Sequence, residues 1–226
     1  MKTNFIKGLS CFLLYTFIGE FILAFILAII GIHYHTLNLS SKMLITLIYE
    51  VFLLIIIGTI YKEDIKNDFK DFKKSIKDYL KKYLKYWFIV IIAMIISNTI
   101  IYNITHISTS TNQKNVIDAV KNVPIYSIVL TIFVAPILEE LVFRLSFRKM
   151  IKKDTLFIIL SGFVFGALHL TSAKSIPELL YIVPYAIPGC IFAYTLVKSK
   201  NIFVPISLHF IHNTVLIIIQ LILLFI

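Results

Sequence analysis

Two adjacent glutamates, Glu139 and Glu140, lie in a run of apolar residues, and Arg144 follows Glu140 by one helical turn. A charged side chain at bilayer depth costs about 2.5–3.5 kcal/mol or more, so such residues persist where they line a wet cavity, pair or do chemistry. The i, i+4 spacing predicts an ion pair between Glu140 and Arg144. Adjacent residues on a helix point about 100° apart, so Glu139 lacks this partner and is a candidate general base or acid. The alternative is a structural Glu140–Arg144 pair with Glu139 facing water at a helix end.

Polar side chains interrupt two later apolar stretches as well. His169 lies in one of them, and His209, His212 and Asn213 lie in the other. His209 and Asn213 share a helical face at i, i+4 spacing, and their N–H groups can hydrogen-bond an oxyanion. The alternative is a polar contact between membrane helices, which is common for His and Asn. We favour that alternative for His212 and a catalytic role for His209 and Asn213.

A helical hairpin would bring Glu139 and His169 together. Glu139 precedes Asp154 by as many residues as His169 follows it, and the polar turn lies at 152–154. Antiparallel helices rise equally per residue, so both side chains reach one level, about 22 Å from the turn. His169 could instead be an interfacial histidine near a helix end. Its predicted level beside Glu139 favours a functional role.

The elements that carry these residues are predicted to be membrane helices. The 226 residues are 59% hydrophobic, with a mean hydropathy of +0.91, a composition typical of membrane proteins. We therefore predict one all-α membrane domain over 1–226, a polytopic bundle of about seven transmembrane helices. The predicted segments are 9–32, 43–61, 86–104, 124–147, 156–170, 179–197 and 202–226.

The distribution of lysines predicts how the bundle is oriented. Nine lysines lie in 62–85, and more basic residues lie near the N-terminus, at 148–153 and at 198–200, whereas the alternate loops hold only Lys42, Lys114, Lys121 and Lys174. By the positive-inside rule the N-terminus is cytoplasmic and the C-terminus is outside the cell membrane. Apolar residues at helical spacing predict an amphipathic helix over 62–85 on the inner leaflet. The net charge of +10 is thus explained by orientation and anionic lipid, and no nucleic acid partner is predicted.

The motifs resemble those of a known family. Glu139-Glu140-x-x-x-Arg144, Phe165-x-x-x-His169 and His209-x-x-x-Asn213 are similar, in order and spacing, to the signature motifs of the CPBP intramembrane proteases. That family is also called type II CAAX prenyl endopeptidase-like or abortive-infection. The motif-bearing core covers about 124–220. The resemblance implies that Glu139 and His169 activate water, that His209 and Asn213 stabilise the oxyanion, and that Glu140 and Arg144 support the site.

The predicted function is hydrolysis of a peptide bond within the membrane. The substrate is a membrane-associated peptide or protein, and the resemblance points to bacteriocin or pheromone processing or to immunity. We favour a glutamate-based mechanism without a cofactor, and zinc is the alternative because Glu and His are common zinc ligands. Two other classes stay open, a non-catalytic membrane scaffold or immunity protein and a proton-coupled transporter. The oligomeric state and the scissile bond are not predicted.

Overall fold

The computed structural model describes residues 2–223, and these residues form helices joined by short connections, without a β-strand in that range. The predicted all-helical class is confirmed. A short 3-10 turn, Tyr34–Thr36, lies between the first two helices. The helices are α1 (Lys2–Ile29), α2 (Leu39–Ile60), α3 (Lys62–Lys74), α4 (Ile76–Thr105), α5 (Thr111–Asn122), α6 (Pro124–Met150), α7 (Asp154–Leu168), α8 (Pro177–Ser199) and α9 (Phe203–Leu223).

Six of these helices, α1, α2, α4, α6, α8 and α9, are long and apolar enough to cross a membrane. The protein is therefore a polytopic membrane protein, as predicted. The expected span at 156–170 forms α7, which is apolar but has only 15 residues. At 1.5 Å per residue it reaches about 22 Å, less than the roughly 30 Å of a bilayer core. The last three residues of the predicted segment 202–226 lie outside the described range.

Segment 62–85, predicted as one amphipathic helix, is divided at Ser75, where φ is −129° and ψ is 25°. Its second half is the first part of α4, a single helix of 30 residues that also includes the predicted span 86–104. Two contacts across Ser75 close the bend. Phe72 stacks on Tyr79 with ring centroids 5.6 Å apart, and the Tyr79 hydroxyl donates to Asp71 at 2.6 Å. The helical spacing of the apolar residues continues through the bend, so the sequence pattern could not reveal where the helix bends.

The lysine-rich connections meet on one side of the bundle, here called the basic face. Lys149 Nζ lies 2.6 Å from Asp64 of α3, and Lys7 of α1 lies 3.9 Å from the same carboxylate. Asn201, between α8 and α9, donates to the Asp68 carbonyl at 2.8 Å. The start of α1, all of α3, the end of α6 and the α8–α9 connection thus share one face, as the predicted alternation of helix directions requires.

The connections at the other ends of the helices form the opposite face, here called the rim face. The Tyr181 hydroxyl donates to the Ile107 carbonyl at 2.8 Å. The Glu178 carboxylate accepts from the backbone N–H of Thr111, and from its hydroxyl at 3.1 Å. These contacts join the start of α8 to the start of α5. Helix α5 was not predicted, and its N-cap is Ser110, which accepts from Gln113 N–H at 3.2 Å.

Helix α6 is the central element of the bundle. Half of the residues in its most apolar 18-residue stretch are buried inside the protein. In α1, α2 and α4 the corresponding share is 11%. Two parts of α6, Val129–Val134 and Glu140–Ser146, are π-helical, and every residue of the second is buried. π-Helical turns change the direction in which later side chains point and are frequent at functional sites. The glutamate pair lies at the junction between an α-helical turn and the second π-helical stretch.

Candidate functional site

The four residues predicted to be catalytic all line one cavity of about 400 Å³. Glu139 comes from α6, His169 follows α7, and His209 and Asn213 come from α9. The structure thus brings three separate apolar segments together at one site. Helices α6 and α7 pack antiparallel, as the predicted hairpin requires, and α9 returns against α6. These contacts bring the four side chains together.

His209 lies between the two glutamates. Its Nδ1 donates to Glu140 Oε1 at 2.9 Å, and its Nε2 lies 3.8 Å from Glu139 Oε2. The first distance is a hydrogen bond, and the second leaves a gap that a small shift or a bridging group would close. Only 6% of the His209 side chain and 15% of the Glu139 side chain are exposed. The site therefore places an oriented imidazole beside a partly accessible carboxylate on the cavity wall.

Glu140 and Arg144 form the ion pair that their spacing predicts. Arg144 Nε lies 3.1 Å from Glu140 Oε2, and both side chains are fully buried. The guanidinium also lies over the Phe165 ring, 4.7 Å from its centroid, and 6.0 Å from that of Phe192. An aromatic face attracts a cation more strongly when both are removed from water. Neither Glu140 nor Arg144 lines the cavity, so the pair lies behind the site and holds His209 from that side.

His169 is held by a different set of contacts. Its Nδ1 donates to the Phe165 carbonyl at 2.8 Å, which leaves Nε2 for the cavity. The ring lies between Phe165 and Tyr185, with centroid distances of 4.5 Å and 4.7 Å, and it is nearly parallel to Tyr185 at 28°. Within the described residues, His209 alone has ring nitrogens within 4.0 Å of a carboxylate. His169 and Glu139 therefore share the cavity without touching.

Asn213 already uses one donor within the protein. Its Nδ2 donates to the Thr131 carbonyl at 2.8 Å, in the first π-helical stretch of α6. A side-chain amide has two N–H groups, so one remains for a ligand in the cavity. The contact also ties α9 to α6. His212, expected to make a polar contact between helices, is buried and lines the cavity, and its Nδ1 has no hydrogen-bond partner in the described structure.

Several cavity residues were missed by the sequence reasoning. Tyr185 lies in a segment containing two prolines and packs on His169. Glu50 of α2 is a second carboxylate on the cavity wall, beside Glu139, and an acid within an apolar span was a signal that could have identified it. Asn112 and Gln113 of α5 also line the cavity, and the Ser110 cap before them was a detectable helix-start signal.

The side chains do not form an evident metal site. In the described part of the chain, no group of three or more His, Cys, Asp or Glu residues is arranged to hold a metal ion. Glu140, which as a glutamate could serve as a zinc ligand, is engaged by Arg144 and His209. The arrangement instead places carboxylates, imidazoles and amides around one volume, which suits proton transfer and oxyanion binding.

Comparison with known proteins gives a consistent result. The family model described as "Type II CAAX prenyl endopeptidase Rce1-like" matches residues 121–215. "Putative membrane peptidase YdiL" of Bacillus subtilis (strain 168) is 32% identical over 175 residues, which cover 76% of this chain and 67% of that protein. An "Uncharacterized protein" of Mycoplasma capricolum subsp. capricolum is 36% identical over 74 residues, or 33% of this chain and 21% of that protein. No solved structure matches the chain significantly.

Proposed function

Because the chain belongs to the Rce1-like, or CPBP, family of membrane proteases, we propose that it is an intramembrane endopeptidase with a glutamate-based mechanism. One observation carries this proposal. His209 is fixed by Glu140 at 2.9 Å and faces Glu139 at 3.8 Å, on a cavity shared with His169 and Asn213. A base, an oriented imidazole and an amide donor therefore line a volume of about 400 Å³, which is large enough for a peptide bond and a water.

In the proposed first step, Glu139 takes a proton from a water molecule positioned with the help of His169 Nε2. The water oxygen attacks the peptide carbonyl carbon, and the carbonyl π electrons move to the oxygen. The free N–H of Asn213 and Nε2–H of His209, protonated on both ring nitrogens, stabilise this oxyanion. Exclusion of water strengthens these contacts because the local dielectric constant is low.

In the second step the tetrahedral intermediate collapses. The C–N bond breaks, and protonated Glu139 delivers its proton to the leaving amine nitrogen. The products are a carboxyl group and an amine, and Glu139 returns to its starting form. Glu140 does not exchange a proton in this scheme. It positions His209 and balances the buried charge of Arg144.

The proposed substrate is a membrane-associated peptide or protein, and processing of bacteriocin or pheromone precursors, or immunity to them, is the proposed role. The bacterial origin of both relatives described above supports a substrate other than a prenylated eukaryotic protein. The proposed location is the cell membrane, with the basic face in the cytoplasm, because the basic residues gather there.

The test is cleavage of a panel of membrane-associated peptides by the purified protein in detergent. Glu139→Gln and His169→Ala should each lower kcat by about 10²–10⁴-fold, the usual contribution of a positioned acid or base. Glu63→Gln, an exposed position on α3, should cleave like the wild type. A strong chelator should leave cleavage unchanged. Loss of cleavage with chelator and recovery with zinc would replace the glutamate mechanism with a metal one.

A non-catalytic scaffold makes a different prediction. Its cellular phenotype should survive Glu139→Gln, whereas the phenotype of a protease should disappear. If Glu139→Gln cleaves a peptide as efficiently as the wild type does, the proposed role of Glu139 is excluded.

A further inference from the structure

The catalytic cavity is open toward one end of the bundle. On α6 it is lined by Ser127, Thr131 and Ala135 as well as Glu139, a stripe that runs from Glu139 toward the helix start at Pro124. On α9 the lining continues from His209 through later positions toward the end of the helix. Both stripes lead from the catalytic residues to the rim face. Neither helix lines the cavity between the catalytic residues and the basic face.

Helix α5 forms part of the entrance. Asn112, Gln113 and Asn115 line the cavity, and Asn115 is exposed while the other two are half-buried. Val116 and Ala119 of the same helix also line the cavity, and Val120 packs in a cluster with Ile217 of α9. Helix α5 thus presents amides to the cavity while it is anchored to the bundle. Amide groups both donate and accept hydrogen bonds, as the main chain of an extended peptide requires.

The entrance is connected to the catalytic histidine. The Tyr185 hydroxyl lies 2.6 Å from Ser110 Oγ at the start of α5, and Asn112 Nδ2 donates to it at 3.3 Å. The ring of Tyr185 stacks on His169. Glu178 holds the first turn of α5 through Thr111. The position of α5 and the orientation of His169 are thus fixed by one set of contacts.

The two faces differ in charge. The basic face carries the nine lysines of 62–85 and the basic residues near the N-terminus, at 148–153 and at 198–200, whereas the connections of the rim face carry Lys42, Lys114, Lys121 and Lys174. The positive-inside rule places the richer face in the cytoplasm. The rim face, and with it the mouth of the cavity, is then outside. The buried Glu140–Arg144 layer and the core around it separate the cavity from the basic face.

We propose that the site takes peptide from the extracytoplasmic side of the membrane, with α5 as the entrance. The substrate class is then a peptide segment that has already crossed the membrane and remains anchored in or against the outer leaflet. This inference rests on the proposed protease function for its substrate, but the side on which the cavity opens does not depend on catalysis. The amphipathic α3 lies on the opposite face.

The side of the entrance is tested by cysteine labelling. Both native cysteines, Cys11 and Cys190, are replaced by alanine, and single cysteines are introduced as Asn115→Cys and, on the basic face, Lys70→Cys. Both positions are exposed. A membrane-impermeant maleimide should label Asn115→Cys in intact bacterial cells and Lys70→Cys only after permeabilisation. The reverse pattern would overturn the proposal.

The side of substrate entry is tested with sealed vesicles. A membrane-impermeant fluorogenic peptide that the detergent-solubilised enzyme cleaves is added to right-side-out and to inverted vesicles. The peptide should be cleaved by right-side-out vesicles and not by inverted ones. After detergent is added, both vesicle preparations should cleave it at the same rate. Cleavage confined to inverted vesicles would overturn the inference. If the enzyme cleaves nothing in detergent, the proposed function fails while the labelling result still decides where the cavity opens.

Discussion

The carboxylate of Glu140 accepts a hydrogen bond from Nδ1 of His209 at 2.9 Å. The same carboxylate pairs with the buried Arg144 through its other oxygen, 3.1 Å from Nε, so it is contacted on two sides. The imidazole is therefore oriented by a buried ion pair behind the cavity, and its Nε2 is directed to the side where Glu139 lies. The two neighbouring glutamates lie in different environments, since one faces the cavity and the other faces the protein interior.

This difference predicts unequal effects on stability when each of the two glutamates is replaced. Glu140→Ala leaves the buried guanidinium of Arg144 without its carboxylate, and removing one partner of a buried pair costs about 3–5 kcal/mol. We expect a large fall in the thermal unfolding temperature in detergent. Glu139→Ala should unfold close to the wild type because Glu139 borders the cavity. The double variant Glu140→Ala/Arg144→Met should recover much of the loss. Equal destabilisation by the two glutamate substitutions would contradict this reading.

Much of the architecture was predictable because hydropathy reports burial in lipid directly. The apolar stretches gave the helices, and unpaired polar residues within them indicated the cavity. The contact between His209 and Glu139 was not predictable, because the π-helical stretch beginning at Glu140 alters the direction of side chains that ideal helix geometry would assume. The bend at Ser75 was missed for a related reason, since it depends on the Tyr79–Asp71 hydrogen bond and leaves the hydrophobic periodicity unchanged.

Tyr185 is expected to act as a positioning residue for His169. Tyr185→Phe keeps the ring that stacks on His169 but loses the hydroxyl contacts to Ser110 and Asn112. We expect a kcat near that of the wild type and a higher KM, because the entrance helix is loosened. Tyr185→Leu removes the stacking ring, and misplacement of a catalytic group by about 1 Å can cost about 10²-fold in rate. Its kcat should fall, measured in detergent with a cleaved peptide. If Tyr185 had only a structural role, both variants would unfold at a lower temperature. They would not then differ in whether kcat or KM changes.

Asn213 is expected to support catalysis with only one of its two N–H groups. The other is donated to the Thr131 carbonyl at 2.8 Å. Asn213→Ala should lower kcat by about 10²–10³-fold, the usual effect of losing one oxyanion donor, with a smaller change in KM. Asn213→Asp should be no better, because a carboxylate offers no donor and faces the Thr131 carbonyl. Asn122→Ala is the matched control, since that amide also donates to a backbone carbonyl, at 2.8 Å, but lies exposed on α5. A change confined to KM would assign Asn213 to substrate binding.

The contact between α7 and α8 depends on two glycines at which the backbones meet. A Cβ added to Gly189 would lie 2.8 Å from both Cα and O of Gly162, whereas a Cβ on Gly58 of α2 would meet nothing within 4 Å. Small residues allow such close packing of membrane helices. Gly189→Ala should therefore destabilise the protein by about 1–3 kcal/mol, the usual cost of overpacking. It should also lower kcat, since α7 leads to His169 and α8 carries Tyr185.

Gly58→Ala should unfold at the wild-type temperature or slightly above it, because alanine favours helix by up to about 1 kcal/mol. Equal unfolding temperatures for the two variants in one detergent would show that α7 and α8 can separate without cost.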